Sequence, residues 1–240
     1  MSGELEGRVA LVTGAAQGLG AAVSDALASE GATVVRTDIQ GTDVTLDVRD
    51  EAQVKQVIAD TAEQHGRLDV VVANAGVAFV KPLTETSLAD WRGLMEINLD
   101  GVFLTAREAA IQMAPRGGGS IINMASITGL RGSPLIGTYA AAKAGVISLS
   151  KTLALELRDH GVRVNAVCPG FIDTQLVRDH ADELSAAIGM PIEDVINAKQ
   201  GRMGTAEEVA RLVLFLASDR SRFSTAEAFV LDGGSTGALV

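Results

Sequence analysis

Apolar runs of four to seven residues, each followed by a longer amphipathic stretch, recur along the whole of this 240-residue chain. Such runs suit strands buried on both faces of a parallel sheet, and the stretches between them suit helices that cover it. The pattern predicts an α/β fold: a single doubly wound, Rossmann-type domain over residues 1–240, with a seven-stranded, mainly parallel sheet between helices. Strands are expected at 9–13, 33–37, 43–46, 70–73, 120–124, 162–167 and 228–231. Helices are expected at about 19–29, 51–65, 88–114, 139–160 and 206–217, the third open to division near Asp100 and Gly101. All five prolines fall outside the helical interiors, as residues without an amide hydrogen should. Residues 171–204 stand apart as a long connection of weak periodicity before the final helix, a kind of segment that often serves as a lid.

Charge and composition exclude several classes of function. Thirty acidic residues against twenty basic ones give a formal charge of −10, with no local basic cluster, so neither nucleic acid nor a membrane surface is an expected partner. No run approaches the roughly 18 apolar residues of a membrane span. Met1 to Arg8 carry two glutamates and no apolar stretch, resembling neither a secretory nor a transit signal, and a cytoplasmic location is expected. The one cysteine, Cys168, lies in an apolar run and reads as packing rather than as a reactive thiol. His65, His160 and His180 show no ligand spacing, so no metal is expected.

Directly after the first predicted strand comes Thr13-Gly14-Ala15-Ala16-Gln17-Gly18-Leu19-Gly20, which opens a helix. Glycines let a backbone turn sharply against a pyrophosphate, while the free amides and positive dipole end of the helix receive negative charge. Asp38 ends the second strand 18 residues after Gly20, near the distance expected of a carboxylate that bonds ribose hydroxyls. A dinucleotide site follows from strand, turn, helix and acid together.

Tyr139 is the only tyrosine, and Lys143 follows it by four residues, one helical turn away on the same face. Tyrosine titrates near 10, and a lysine charge placed there would favour the phenolate. Ser126 stands 13 residues before Tyr139 at a strand end.

With these features the chain resembles the short-chain dehydrogenase/reductase family. The glycine pattern TG-x-x-x-G-x-G, then Asn74-Ala75-Gly76, Asn98, Ser126, Tyr139-x-x-x-Lys143, Pro169-Gly170 with Thr174, and Asp232-Gly233-Gly234 occur in the family's order across nearly the whole chain. The resemblance implies an NAD-dependent alcohol dehydrogenase or ketone reductase acting on a small alcohol or carbonyl substrate. Tyr139 would be the acid/base, Ser126 would steady the substrate oxygen, and Lys143 would also bond the nicotinamide ribose. Asn98 would support a water chain from the lysine to solvent; a kink-relieving role is its alternative, and a strand-end cap is that of Ser126. For the cofactor, Gly14, Gln17, Gly18, Leu19 and Gly20 would form the pyrophosphate turn, with Asp38 at the adenosine ribose. Asp47 and Val48 would contact the adenine, Asn74 and Gly76 would border the ribose and nicotinamide, and Ile172 and Thr174 would meet the carboxamide. A homotetramer is implied, built through helices at about 101–114 and 139–160.

Some positions depart from the family's pattern. Only nine residues separate Asp38 from Asp47, too few for the usual intervening helix, so an open adenine side is expected. Ala73, Thr205 and Ala226 replace a frequent asparagine, proline and glycine. Ketoacyl reduction is an alternative activity, although Gln17 and Asp38 lack the basic residues expected for its usual NADPH. Enoyl reduction normally accompanies a longer Tyr-to-Lys spacing. A regulator that senses NAD without turnover is the third reading, and the intact Ser126, Tyr139 and Lys143 argue against it.

Overall fold

The computed structural model describes residues 3–237. Seven strands form one sheet in the order β3-β2-β1-β4-β5-β6-β7. They are β1 (Val9–Thr13), β2 (Thr33–Asp38), β3 (Val44–Thr45), β4 (Val70–Ala73), β5 (Gly119–Met124), β6 (Val162–Pro169) and β7 (Ala228–Leu231). Every paired neighbour is parallel, with registers such as Leu11 beside Val71 and Ile121 beside Val164. Chain order reverses between β1 and β4, and the carboxyl ends of strands at such a point open a crevice for a ligand.

Helices α1 (Gly18–Ser29) and α8 (Ala206–Ala217) cover one face, and α2 (Glu51–Gln64), α4 (Gly101–Met113) and α5 (Gly137–Glu156) cover the other. Leu11, Val71 and Ile121 are wholly buried in one layer, and Val12, Val72 and Ile122 in the other. Each such side chain contributes about 1.5–3 kcal/mol by leaving water. This two-sided burial is why the strands read as continuous apolar runs.

The structure bears out the single 88–114 helix and corrects the expected elements in two places. The 88–114 helix is one unbroken helical path, α3 (Leu88–Met95) joined to α4 by a wide π-helical turn over Glu96–Asp100. The expected 43–46 strand shrinks to two residues, because the five residues from Ile39 to Asp43 form only bends and leave β3 little room to pair. Residues 171–204 are no irregular loop: they hold α6 (Gln175–Ile188) and α7 (Ile192–Gln200). Leu176, Val177, His180, Leu184 and Ile188 do recur at helical spacing, but the charged residues between them dilute the signal. Gly189, with φ of 78°, and Pro191 then divide the segment.

Two of the departures have local explanations. Thr205 caps α8: its hydroxyl accepts the Glu208 amide hydrogen at 3.2 Å and Glu208 accepts the Thr205 amide hydrogen at 2.9 Å. A proline there would have no hydrogen to give. Ala226 adopts φ of 62°, the left-handed conformation that a glycine holds without strain.

Candidate active site

The phosphate turn is shaped by contacts that exclude side chains. Gly14 has φ of 66°, and a Cβ there would lie 2.7 Å from Ala75 Cα, while a Cβ on Gly20 would overlap the Gly14 carbonyl. The Asn74 side chain holds the turn, donating from Nδ2 to the carbonyls of Thr13 and Gly14, each at 3.0 Å. Asn74 therefore braces the turn from within as well as lining the cavity. The first turn of α1 has no side-chain cap and no acidic residue, leaving its amides available to an anion.

One cavity of about 590 Å³ runs along the carboxyl ends of the strands from this turn to the tyrosine. Gly14, Gln17, Gly18, Leu19, Asp38, Asp47, Val48, Asn74, Gly76, Ser126, Tyr139, Lys143, Ile172 and Thr174 all line it. Gly20 lies buried behind the turn, and Asn98 lies buried behind Val77. The continuity from acid to tyrosine fits a dinucleotide laid across the sheet.

At the adenine end Asp38 closes the β2 strand onto the turn, accepting the amide hydrogens of Ala16 at 3.1 Å and Ile39 at 2.7 Å. Arg36, two residues before Asp38 on β2, is paired with Asp25 of α1 at 2.6 Å. It does not line the cavity. Asp47 pairs with Arg49 at 2.6 Å, and that guanidinium holds its carboxyl below the usual range. Ile39 stands exposed where the shortened connection leaves the cavity open.

At the other end Ser126 follows β5 and Tyr139 lies in the first turn of α5. Lys143 is buried one turn on, with Nζ 5.4 Å from the Tyr139 ring centre and donating to the Met124 carbonyl at 2.8 Å. Part of Tyr139 opens onto the cavity, yet loss of solvent around the phenol pushes its pKa up to about 12, with a hydrogen bond to Ser126 pulling the other way. Burial likewise lowers Lys143 to about 8. The expected lowering of the tyrosine by the lysine is thus not what the pair displays: each neutral form gains from desolvation. Ser126 accepts the Thr128 amide hydrogen at 3.2 Å, capping the short turn after β5.

Asn98 sits in the π-helical turn with its side chain fully buried. Its Oδ1 accepts the Val77 amide hydrogen at 2.9 Å and its Nδ2 donates to the Val77 carbonyl at 2.7 Å. From the wide turn the amide meets the loop bordering the cavity. π-Helical turns recur at functional sites. Cys168 is fully buried in β6 and its thiol is pushed up to about 11 by burial, an unreactive condition.

Sequence reasoning missed Val77, Ala78 and His180 of the cavity wall, and Gln200 beneath it. No local motif marks them. A larger hollow of about 930 Å³ lies at the opposite, amino-terminal ends of the strands. Four of its arginines are structural: Arg8, Arg67 and Arg222 pair with Asp69 or Asp219, and Arg163 donates to carbonyls ending α8. Helices finish on that face, where cations offset the negative dipole ends. Among the described residues no group of three or more His, Cys, Asp or Glu side chains is placed to hold a metal ion. Among the same residues no helix is long and apolar enough to cross a membrane.

Residues 14–236 match a family model described as enoyl-(acyl carrier protein) reductase. The chain is 38% identical to a 3-oxoacyl-[acyl-carrier-protein] reductase of Thermotoga maritima, over 96% of this chain and 98% of that protein. It is 40% identical to an NADP-dependent (R)-specific alcohol dehydrogenase of Lentilactobacillus kefiri, over 98% and 99%. The crystal structure of levodione reductase superposes with a TM-score of 0.92 at 34% identity, covering 98% of this chain and 99% of that one.

Proposed function

This chain belongs to the short-chain dehydrogenase/reductase family, and from that premise we propose an NAD(H)-dependent oxidoreductase that moves a hydride between nicotinamide and a secondary alcohol or ketone. The observation that carries the reading is one continuous cavity holding Ser126, Tyr139 and Lys143 at one end and the glycine turn with Asp38 at the other. Nicotinamide, when bound, supplies the site that accepts or gives up the hydride. Tyr139 moves the proton: as phenolate it takes the alcohol proton while the hydride leaves the same carbon, and as phenol it returns a proton to the oxygen in reduction. Its high pKa keeps it a phenol at neutral pH, the form that reduction needs. Ser126 orients the substrate oxygen. Lys143 supports the developing phenolate and the ribose, and Asn98 supports the proton path behind it.

Asp38 supports NAD over NADP, because a carboxylate accepts ribose hydroxyls and repels a 2′-phosphate. Arg36 is engaged by Asp25 and offers no counter-charge. The L. kefiri relative is named for NADP, so this preference rests on the chain's own acid. Among the described residues, apart from Arg49 at the adenine end and the buried Lys143, no lysine or arginine lines the cavity, while Val77, Ala78, Leu176 and Val177 do. A neutral, partly apolar alcohol or ketone suits those walls. The family model's description names enoyl reduction, but the four-residue spacing of Tyr139 and Lys143 supports carbonyl chemistry. Ketoacyl reduction draws support from the T. maritima relative. Residues 1–240 would act as one domain with 171–204 as the lid. Exposed Phe103 and Ile111 on α4 and Leu155 on α5 support the tetramer expected through those helices, which sedimentation would measure.

The deciding experiment is an NAD(H)-linked screen over cyclic diols, hydroxy acids, sugars, steroids and an acetoacetyl thioester. Turnover of a secondary alcohol or ketone, lost in Tyr139→Phe, is expected. Tight NADH binding with no turnover of anything would favour the regulator, and turnover of the thioester alone would favour the ketoacyl reductase.

A further inference from the structure

Gln200 ends α7 and is 7% exposed, although nothing in its local sequence calls for a buried amide there. Its Oε1 accepts the Phe171 amide hydrogen at 2.9 Å. Its Nε2 donates to the Phe171 carbonyl at 2.7 Å and to the Arg202 carbonyl at 2.9 Å. The side chain thus pairs with both polar groups of one backbone residue, as a neighbouring strand would. Only a primary amide offers an uncharged donor and acceptor side by side for that. Asn98 makes the same two-way clasp on Val77.

The two clasped residues occupy matching places. Val77 follows β4 through Asn74-Ala75-Gly76, and Phe171 follows β6 through Pro169-Gly170, so each amide holds a loop at the end of a strand beside the tyrosine. The packing around Gln200 is tight. A Cβ on Gly170 would overlap its Oε1 and lie 3.0 Å from the Asp232 side chain, and Gly233, with φ of 60°, passes directly over its backbone carbonyl. The Phe171 carbonyl also accepts the Gly204 amide hydrogen at 2.9 Å, and Asp173 donates to the Gly204 carbonyl at 2.9 Å. Both ends of the 171–204 segment are therefore tied together beneath α6 and α7. Ile172 and Thr174, on the cavity wall, come next in the chain after the clasped residue.

We propose that Gln200 is a positioning residue for hydride transfer. Resting on the oxidoreductase reading above, it holds the Pro169–Phe171 turn, and through it Ile172 and Thr174, at the depth where they meet the nicotinamide carboxamide, and anchors the base about which α6 closes. A misplacement of the order of 1 Å at a reacting centre costs about a hundredfold in rate.

The test compares Gln200→Leu, which keeps the bulk and removes every hydrogen bond, with wild type. Expected are a kcat lower by about tenfold or more, an unchanged pH dependence of the remaining rate, and faster hydrogen exchange confined to 171–174. A kcat and KM within about twofold of wild type, whatever happens to thermal stability, would overturn the proposal. If the leucine variant does not fold, Gln200→Glu carries the same criteria, since it keeps an acceptor for the Phe171 amide and loses both donors. If wild type itself turns over no substrate, the oxidoreductase reading falls, and exchange measured with and without NADH still decides the clasp. NADH slowing exchange at 171–174 in wild type but not in Gln200→Leu supports it, and equal slowing in both overturns it.

Discussion

The wall that holds Ser126, Tyr139 and Lys143 and the proposed lid helix α6 border one cavity, and they are held in different ways. On the first, Lys143 is 2% exposed and Ser126 8%, both tied to backbone groups of β5 or of the turn that follows it. On the second, α6 buries none of its residues, and Leu176 is 37% exposed although it lines the cavity. The contrast matches the roles proposed for each: proton transfer needs groups already in place, whereas a lid must leave and return.

Tyr139→Phe tests the fixed wall most directly. Turnover should fall by about 10² to 10⁴ while NAD binding is nearly unchanged, because only the proton-carrying hydroxyl is lost. Residual activity within about tenfold of wild type would contradict the role of the tyrosine.

Lys143→Met should reduce both rate and cofactor affinity, yet stabilise the empty protein near neutral pH. The lysine is charged in the unfolded chain up to about 10.5 but only to about 8 in the fold. Below pH 8 its buried charge is a burden on the native state; between 8 and 10.5 the unfolded state binds the extra proton, so wild-type stability rises with pH. The gap in favour of the methionine variant should therefore narrow over that window, and thermal melts at pH 7 and 10 would measure it. A constant gap would mean that the lysine is not strained by burial. Oxidation by wild type should also speed up with rising pH as the phenolate forms, since burial has raised the tyrosine.

Asp38→Ala probes the open adenine end. Wild type should prefer NAD by about tenfold or more in kcat/KM, and the variant should lose or invert that preference. Equal use of both cofactors by wild type would show that Asp38 does not govern the pocket.

For the lid, hydrogen exchange should slow across α6 when cofactor and substrate bind together, while β5 and α5 change little. Identical exchange along 175–188 in the free and ternary forms would remove the difference between the two walls. A last, smaller change touches neither wall. Ala226→Gly should relieve the left-handed backbone and raise stability by about 0.5–1 kcal/mol, or roughly 2 °C in Tm, with kinetics unchanged.

The legible parts of the molecule are those whose signals are local. The strand runs, the glycine turn between β1 and α1, and the turn-apart Tyr139 and Lys143 each lie within a few residues of chain, and the structure brings them to one cavity. The helices of 171–204 were hidden because four of the fourteen residues of α6 are charged and interrupt its apolar spacing. The pairing of Arg36 was hidden because its partner, Asp25, projects from a different element.

By itself the sequence determined the layered α/β fold and marked the glycine turn and the side chains proposed as reactive, since periodicity and short-range spacing encode these. Tertiary structure alone decided the surroundings that set their chemistry. The clasp of Asn98 on Val77 joins residues 21 apart and that of Gln200 on Phe171 joins residues 29 apart. The desolvation that keeps Tyr139 a phenol and weakens the charge on Lys143 likewise comes from neighbours that only folding assembles. Hydrogen bonds and loss of water depend on what lies nearby in space, and for these residues that is chain drawn from other strands and helices.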